Sequence, residues 1–311
     1  MKLGVFLAVY HDLPFEDALD KAVALGLDTV EIATGNYPGD DHCRPAELLA
    51  DGAARDTFRA ALERRGLEIS AFSQHGNPLH PDQKIASSTH DTWRATVQLA
   101  AALGVRVVNA FSGCPGDHDG ALRPNWVTCS WPPDYPATLA WQWEQKVVPY
   151  WTAEAGFAAE HGVTVGIEMH PGFVVFNPAT LVRLRDACGP AIAANFDPSH
   201  LFWQGIDPVV AIRHLGEHAA IAHVDAKDTA LASDTIALNG VLETRPAAET
   251  GERAWAFRTI GVGHGDEVWR DMVAALCLAG YDGAVSIEHE DRSLAADVGL
   301  DKAVKFLGAL L

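Results

Sequence analysis

Apolar positions along the chain fall into short, nearly continuous runs, each introduced by an Ala/Leu-rich helical stretch that ends in glycine. The unit reads VALGLDTVEI (23–32), ERRGLEISAF (63–72), AALGVRVVNAF (101–111) and AEHGVTVGIEM (159–169). It returns as DACGPAIAANFD (186–197), LGEHAAIAHVDAKD (215–228) and LAGYDGAVSIEHED (278–291). Glycine suits the left-handed position that closes a helix, and the β-branched run after it has strand composition. Continuous apolarity fits parallel strands covered on both faces. With a first strand near 2–8, the pattern predicts eight strands, the sixth being the weakest. Helices are expected near 15–26, 45–66, 83–104, 139–162, 178–188, 207–216, 266–280 and 295–310. Eight βα units with no spare strand indicate an α/β protein built as a closed (β/α)8 TIM barrel, a single domain over 1–311. Two stretches break the rhythm, 112–138 after the fourth strand and 226–265 after the seventh. Both are expected as long loops at the face where barrels carry their sites.

Composition adds limits. At 48% apolar and 21% charged residues the chain can bury a large core, and its net charge of −18 disfavours nucleic acid as a partner. Five scattered cysteines without a CxxC pair read as reduced thiols. The apolar run at the N-terminus is too short for a signal peptide or membrane span, so a soluble, cytoplasmic protein without membrane partners is expected.

Strand ends concentrate the candidate chemistry. Glu168, Asp197, His223 and Glu288 stand at the predicted ends of the fifth to eighth strands. Neighbouring parallel strands lie about 4.8 Å apart, so these side chains can converge on one divalent cation. Three carboxylates and one imidazole make a hard, mostly oxygen site, suited to Mn²⁺ first, with Mg²⁺, Co²⁺ or Zn²⁺ as alternatives. Solvated rim carboxylates and a satisfied core histidine are the bland alternative, weakened by four consecutive strands ending this way.

These residues, with SQHGNPLHP (73–81), EMHPGF (168–173), NFDPSHLFWQGID (195–207), HVDAKD (223–228), GVGHG and GYDGAVSIEHED (within 261–291), carry a resemblance. The chain resembles the sugar phosphate isomerase/epimerase group of the xylose isomerase-like TIM barrel superfamily, which also includes endonuclease IV. The resemblance implies the same four metal ligands, a substrate-facing His200, and Glu168 with Glu288 as the acid/base pair. It also allows a homo-oligomer.

Other positions are candidate substrate contacts. His75 and Asn77 follow the third strand, where Asn77 equally suits a turn-structuring role before Pro78. His170 lies just past Glu168, and Lys227 either polarises a substrate oxygen or pairs with Asp225 or Asp228 at the rim. Arg258 and His264 lie in the long loop before the last helix, and Trp126 is the one tryptophan of the fourth-strand loop placed to line a pocket. Such a site favours proton abstraction next to a carbonyl with a metal-stabilised enediolate. The expected activity is a divalent-metal-dependent isomerase or epimerase acting on a sugar, keto-sugar or cyclitol. Few basic residues at the strand ends argue for an unphosphorylated substrate. The alternative outcome is a lyase or dehydratase acting on a keto-cyclitol or oxidised glycoside. An endonuclease IV-like DNA repair enzyme is disfavoured by the charge and by AFSGC at the fourth strand end, which lacks a ligand histidine.

Overall fold

In the computed structural model, which describes residues 1–249 and 251–311, the parallel strands close into a ring. The strands are β1 Lys2–Phe6, β2 Thr29–Asn36, β3 Glu68–His75, β4 Val107–Phe111, β5 Thr164–Glu168, β6 Ile192–Phe196 and β7 Ile221–Ala226. Strands β8 Asp228–Leu231 and β9 Trp255–Arg258 follow, and β10 Ala284–Ile287 completes the barrel in the order β1-β10-β7-β6-β5-β4-β3-β2. β8 and β9 form a separate antiparallel hairpin over the C-terminal rim.

Outward residues such as Val30, Ile32, Val165, Ile167, Val224 and Val285 are buried under the surrounding helices. Inward residues are smaller or polar, and two glycines permit that packing. A Cβ on Gly166 would collide with the Asn109 carboxamide oxygen, and one on Gly4 with the Thr29 hydroxyl. Helix starts follow the local chemistry. Asp51, Asp82 and Asp207 accept backbone N–H bonds as N-caps, and Asn177 with Thr180 forms a reciprocal capping box.

The expected helix over 45–66 is divided at Asp51 into Pro45–Ala50 and Gly52–Glu63, because the Asp51 side chain caps the second piece. The helix expected over 139–162 begins earlier, at Asp134, and passes through a widened π-turn at Trp143–Val147. The loop expected over 226–265 carries structure of its own, the β8–β9 hairpin and a short helix Ser233–Asn239. Among the described residues no helix is long and apolar enough to cross a membrane.

Candidate active site

At the C-terminal rim, seven side chains form one continuous chain of contacts. His75 ends β3, and its Nε2 lies 2.9 Å from Glu168 Oε2 at the end of β5. Glu168 Oε1 lies 3.3 Å from His200 Nε2, which lies 3.2 Å from Asp197 Oδ2. The local sequence DPSH creates the second half of this link. Asp197 caps the helix Pro198–Trp203 by accepting from the Ser199 N–H through Oδ1 at 2.8 Å, while Oδ2 lies beside His200. Lys227 Nζ stands 3.9 Å from Asp197 Oδ2, 2.9 Å from Glu288 Oε1 and 3.0 Å from Glu290 Oε2. Tyr37 donates to Glu290 at 3.0 Å, and the Lys227 ammonium lies 4.3 Å from the Phe257 ring centroid.

Burial and partners pull the charges apart. Burial would raise Glu168, but His75 and His200 hold it well below the usual carboxylate range. Burial, reinforced by Glu290, Asp197 and Glu168, pushes Glu288 well up despite Lys227. Lys227 is held well above its ordinary value, since Glu288 and Glu290 outweigh its desolvation. For His200, burial is overcome by Asp197 and the pKa rises to about 9. His170 is driven down to about 3 by burial and by His200. Its Nδ1 lies 2.6 Å from the Pro171 carbonyl, which leaves a neutral ring with Nε2 available to accept.

His75 Nε2, His200 Nε2 and Asp197 Oδ2 are buried and lack a hydrogen-bond partner of good geometry, despite the close spacings above. Ligands bound about 2.1 Å from one octahedral ion stand about 3 Å from their neighbours, so this spacing suits a shared cation. Among the described residues two groups could hold a metal ion, Glu168–His170–His200 and Glu31–His223–Asp225.

The second group lies inside the barrel. Glu31 accepts from Ser286 Oγ at 2.8 Å and Asn109 Nδ2 at 3.1 Å, and also from Ser73. Asp225 accepts from Asn195 Nδ2 at 2.6 Å and is pushed well up by burial and by Glu31.

The structure therefore brings Glu168, Asp197 and Glu288 into one contact chain but places His223 apart from it. In HVDAKD the strand alternation turns His223, Asp225 and Lys227 to the same inward face, and Lys227 rather than His223 reaches the rim. His223 Nδ1 lies 3.0 Å from Asn195 Oδ1, and its Nε2 lies 3.2 Å from Ser70 Oγ. The donor atoms beside Glu168 are imidazoles of His75, His170 and His200, so the site is richer in nitrogen than three carboxylates and one histidine.

Asn77 and His264 have structural partners within the protein, which for Asn77 fit the turn-structuring role. Asn77 Oδ1 accepts from Leu79 N at 3.1 Å and Cys114 N at 2.9 Å, and its Nδ2 donates to the Cys114 carbonyl. His264 pairs with Asp228 at 2.8 Å and stacks on Phe202. Asp228 Oδ2 also accepts from the N–H groups of Gly261, Gly263 and His264, which organises the GVGHG loop. Lys227 pairs with Glu288 and Glu290 rather than with Asp225 or Asp228. Trp126, His170, His200 and Arg258 line one cavity of about 590 Å³, with Glu290 on the same wall. A second cavity of about 500 Å³ lies on the other side of Glu288 and Glu290, bounded by Phe6, Asn36 and Tyr37.

The model of the xylose isomerase-like TIM barrel matches residues 19–310. The chain belongs to that family. YfiH of Bacillus subtilis (strain 168), an uncharacterized protein, is 38% identical over 310 residues, covering 99% of this chain and 98% of that one. Two solved structures show the same xylose isomerase-like fold. A D-tagatose 3-epimerase-like protein is 17% identical with a TM-score of 0.67, covering 100% of this chain and 98% of its own. The probable 3-DHS dehydratase AsbF of Bacillus anthracis, involved in petrobactin synthesis, is 16% identical with a TM-score of 0.65 and covers 99% of each chain.

Proposed function

We propose that this chain is a divalent-metal-dependent isomerase or epimerase that moves a proton next to the carbonyl of an unphosphorylated sugar, keto-sugar or cyclitol. The observation that carries this reading is geometric: Glu168 and Glu288 stand at the rim in one buried contact chain with Lys227 between Glu288 and Asp197, and their surroundings push the Glu168 carboxyl down and the Glu288 carboxyl up. Environments that drive two carboxyl groups apart assign a base and an acid.

Glu168 accepts the proton at a carboxylate oxygen, while His75 orients that side chain from the far oxygen. Glu288 holds a proton to return, and its side chain is the more open of the two, 14% exposed against 4% for Glu168. The Lys227 ammonium, fixed among Glu288, Glu290 and Asp197, offers a donor to an oxygen that gains negative charge. Glu168, Asp197 and His200, with His75 or His170, would hold the cation, and an ion there would supply Lewis acidity toward the substrate carbonyl. This mixed nitrogen and oxygen set keeps Mn²⁺ and Co²⁺ in play and brings Zn²⁺ closer than a mostly oxygen site would.

The upward push on the Glu288 carboxyl also favours a second reading. A proton donor beside the substrate can protonate a leaving group, which turns the same first step into a lyase or dehydratase reaction. Likeness to both an epimerase-like protein and a probable dehydratase supports both outcomes on this fold.

The test is solvent exchange. Manganese-loaded protein is incubated in D2O with a panel of ketoses and inososes, and the hydrogen next to each carbonyl is followed by NMR. Enzyme-dependent loss of that signal for at least one compound is expected, with product stereochemistry separating epimerase from lyase. No exchange across the panel with manganese, cobalt or zinc loaded in turn counts against the reading.

A further inference from the structure

The cavity beside the reacting groups is large and aromatic. Its volume of about 590 Å³ lies within the range, roughly 300–1,000 Å³, of sites that bury a drug-sized molecule. One sugar ring at Glu168 and Lys227 leaves most of it unfilled. His170, His200 and Glu290 line it and are also part of, or packed on, the contact chain, so the cavity opens directly onto the reacting end.

Its walls are built from Trp126, Trp203, Trp255 and Phe257. Trp203 and Trp255 stack with ring centroids 4.8 Å apart and planes 6° apart, and Trp255 is locked by donating its indole N–H to the Val241 carbonyl at 3.1 Å. Phe257 lies 5.4 Å from Trp255 and 5.6 Å from the His200 ring, continuing the aromatic wall to the reacting groups. Two further indole donors in the lining, Trp126 Nε1 and Trp203 Nε1, are buried and have no hydrogen-bond partner in the protein. Trp203 itself is 5% exposed. Buried N–H groups are ordinarily paired, so unpartnered donors in a cavity wall point to acceptors on a ligand. Arg258 lines the same space with its nearest carboxylate oxygen, on Asp291, 3.8 Å away. A flat guanidinium and flat indoles stack on ring faces.

We infer that the substrate is a glycoside whose reacting ring bears a ketone, rather than a free monosaccharide: a reacting keto-sugar ring at Glu168 and Lys227 that carries a second ring held by Trp126, Trp203, Trp255 and Phe257, for which unoxidised glycosides serve as unreactive binding probes. The placement of the reacting ring rests on the function proposed above. An aryl group and a second sugar share the face that such walls recognise, and the probes separate them.

Binding is measured by calorimetry for each of glucose, galactose, mannose and xylose as the free sugar, methyl glycoside, 4-nitrophenyl glycoside and disaccharide, in both anomers. For at least one sugar, a ring-bearing glycoside is expected to bind ten-fold or more tightly than its methyl glycoside. Preference for the nitrophenyl compound assigns an aryl group, and preference for the disaccharide a second sugar. Trp126→Ala and Trp255→Ala should each bring that ratio below three-fold, while Trp255→Phe should keep it. Ratios below three-fold for every sugar, no binding of any ring-bearing probe, or a ratio that survives both alanine variants overturns the inference. Proton exchange on free ketoses is scored separately. Exchange without a glycoside preference leaves the proposed reaction standing and removes the second-ring site, and the converse result does the opposite.

Discussion

Lys227→Met removes the single ammonium among three carboxylates without removing the packing of its stem. Lys227 is 4% exposed, and its Nζ lies 2.9, 3.0 and 3.9 Å from Glu288, Glu290 and Asp197. Breaking a buried ion pair by deleting one partner costs about 3–5 kcal/mol, because the remaining charge is stranded. Burial already pushes the Glu288 carboxyl up, so it sheds its charge most readily once Lys227 is gone, and the lower part of that range is expected. The pH dependence has a defined sign. Without Lys227, which holds it down against its burial, the Glu290 carboxyl titrates higher in the folded state than in the unfolded one. The variant's deficit is therefore full above that raised value and shrinks as pH falls toward the ordinary carboxylate range. Urea unfolding of both proteins, freed of metal, at about pH 8 and about pH 5.5 measures it. A deficit of about 3 kcal/mol at the higher pH that falls by at least about 1 kcal/mol at the lower one is predicted. A deficit under about 1 kcal/mol at both, the size of a surface pair, would refute the assignment of Lys227 as the buried counter-charge.

Three further outcomes follow from particular contacts. Asn77→Ala leaves the Cys114 N–H and carbonyl without their partner and should lower stability by about 1–3 kcal/mol in thermal unfolding; an effect confined to KM would instead make Asn77 a substrate contact. Asp291, held down to about 2 against its burial by Ser293 and Thr259, contributes stability present above its ordinary value and lost as pH falls from about 4 toward 2. Asp291→Asn should remove on the order of 2 kcal/mol at neutral pH and flatten the acid-unfolding curve; an unchanged curve would contradict this. Chelator treatment of the purified protein should lower its melting temperature and a stoichiometric divalent ion should restore it, with the response absent in Glu168→Ala; no response in the parent protein would count against a resident ion.

The barrel was legible because each βα unit repeats the same local physics, a glycine that closes a helix followed by a strand buried on both faces. The rim carboxylates Glu168, Asp197 and Glu288 were legible as residues at or just beyond strand ends. The depth of His223 was harder to read. HVDAKD offers three inward positions two residues apart, and which one reaches the rim depends on where β7 stops, at Ala226. Glu290 was passed over although it repeats the inward spacing of Glu288, and Glu31 and Asp225 lay within strands whose polar interior the apolar pattern does not reveal. His264 was read as a candidate substrate contact and Asp228 as a rim partner for Lys227, whereas the structure uses both to tie the GVGHG loop down. The aromatic cavity joins Trp126, Trp203 and Trp255 from three separate segments, a juxtaposition that only closure of the barrel and folding of the β8–β9 hairpin create.

The most direct measurement of the proposed chemistry compares Glu168→Gln with Glu288→Gln in the D2O exchange assay on a responding ketose. Glu168 as the ionised base requires that Glu168→Gln abolish exchange. Glu288 as the proton donor requires that Glu288→Gln retain exchange while losing net conversion. Undiminished exchange in Glu168→Gln would contradict the account.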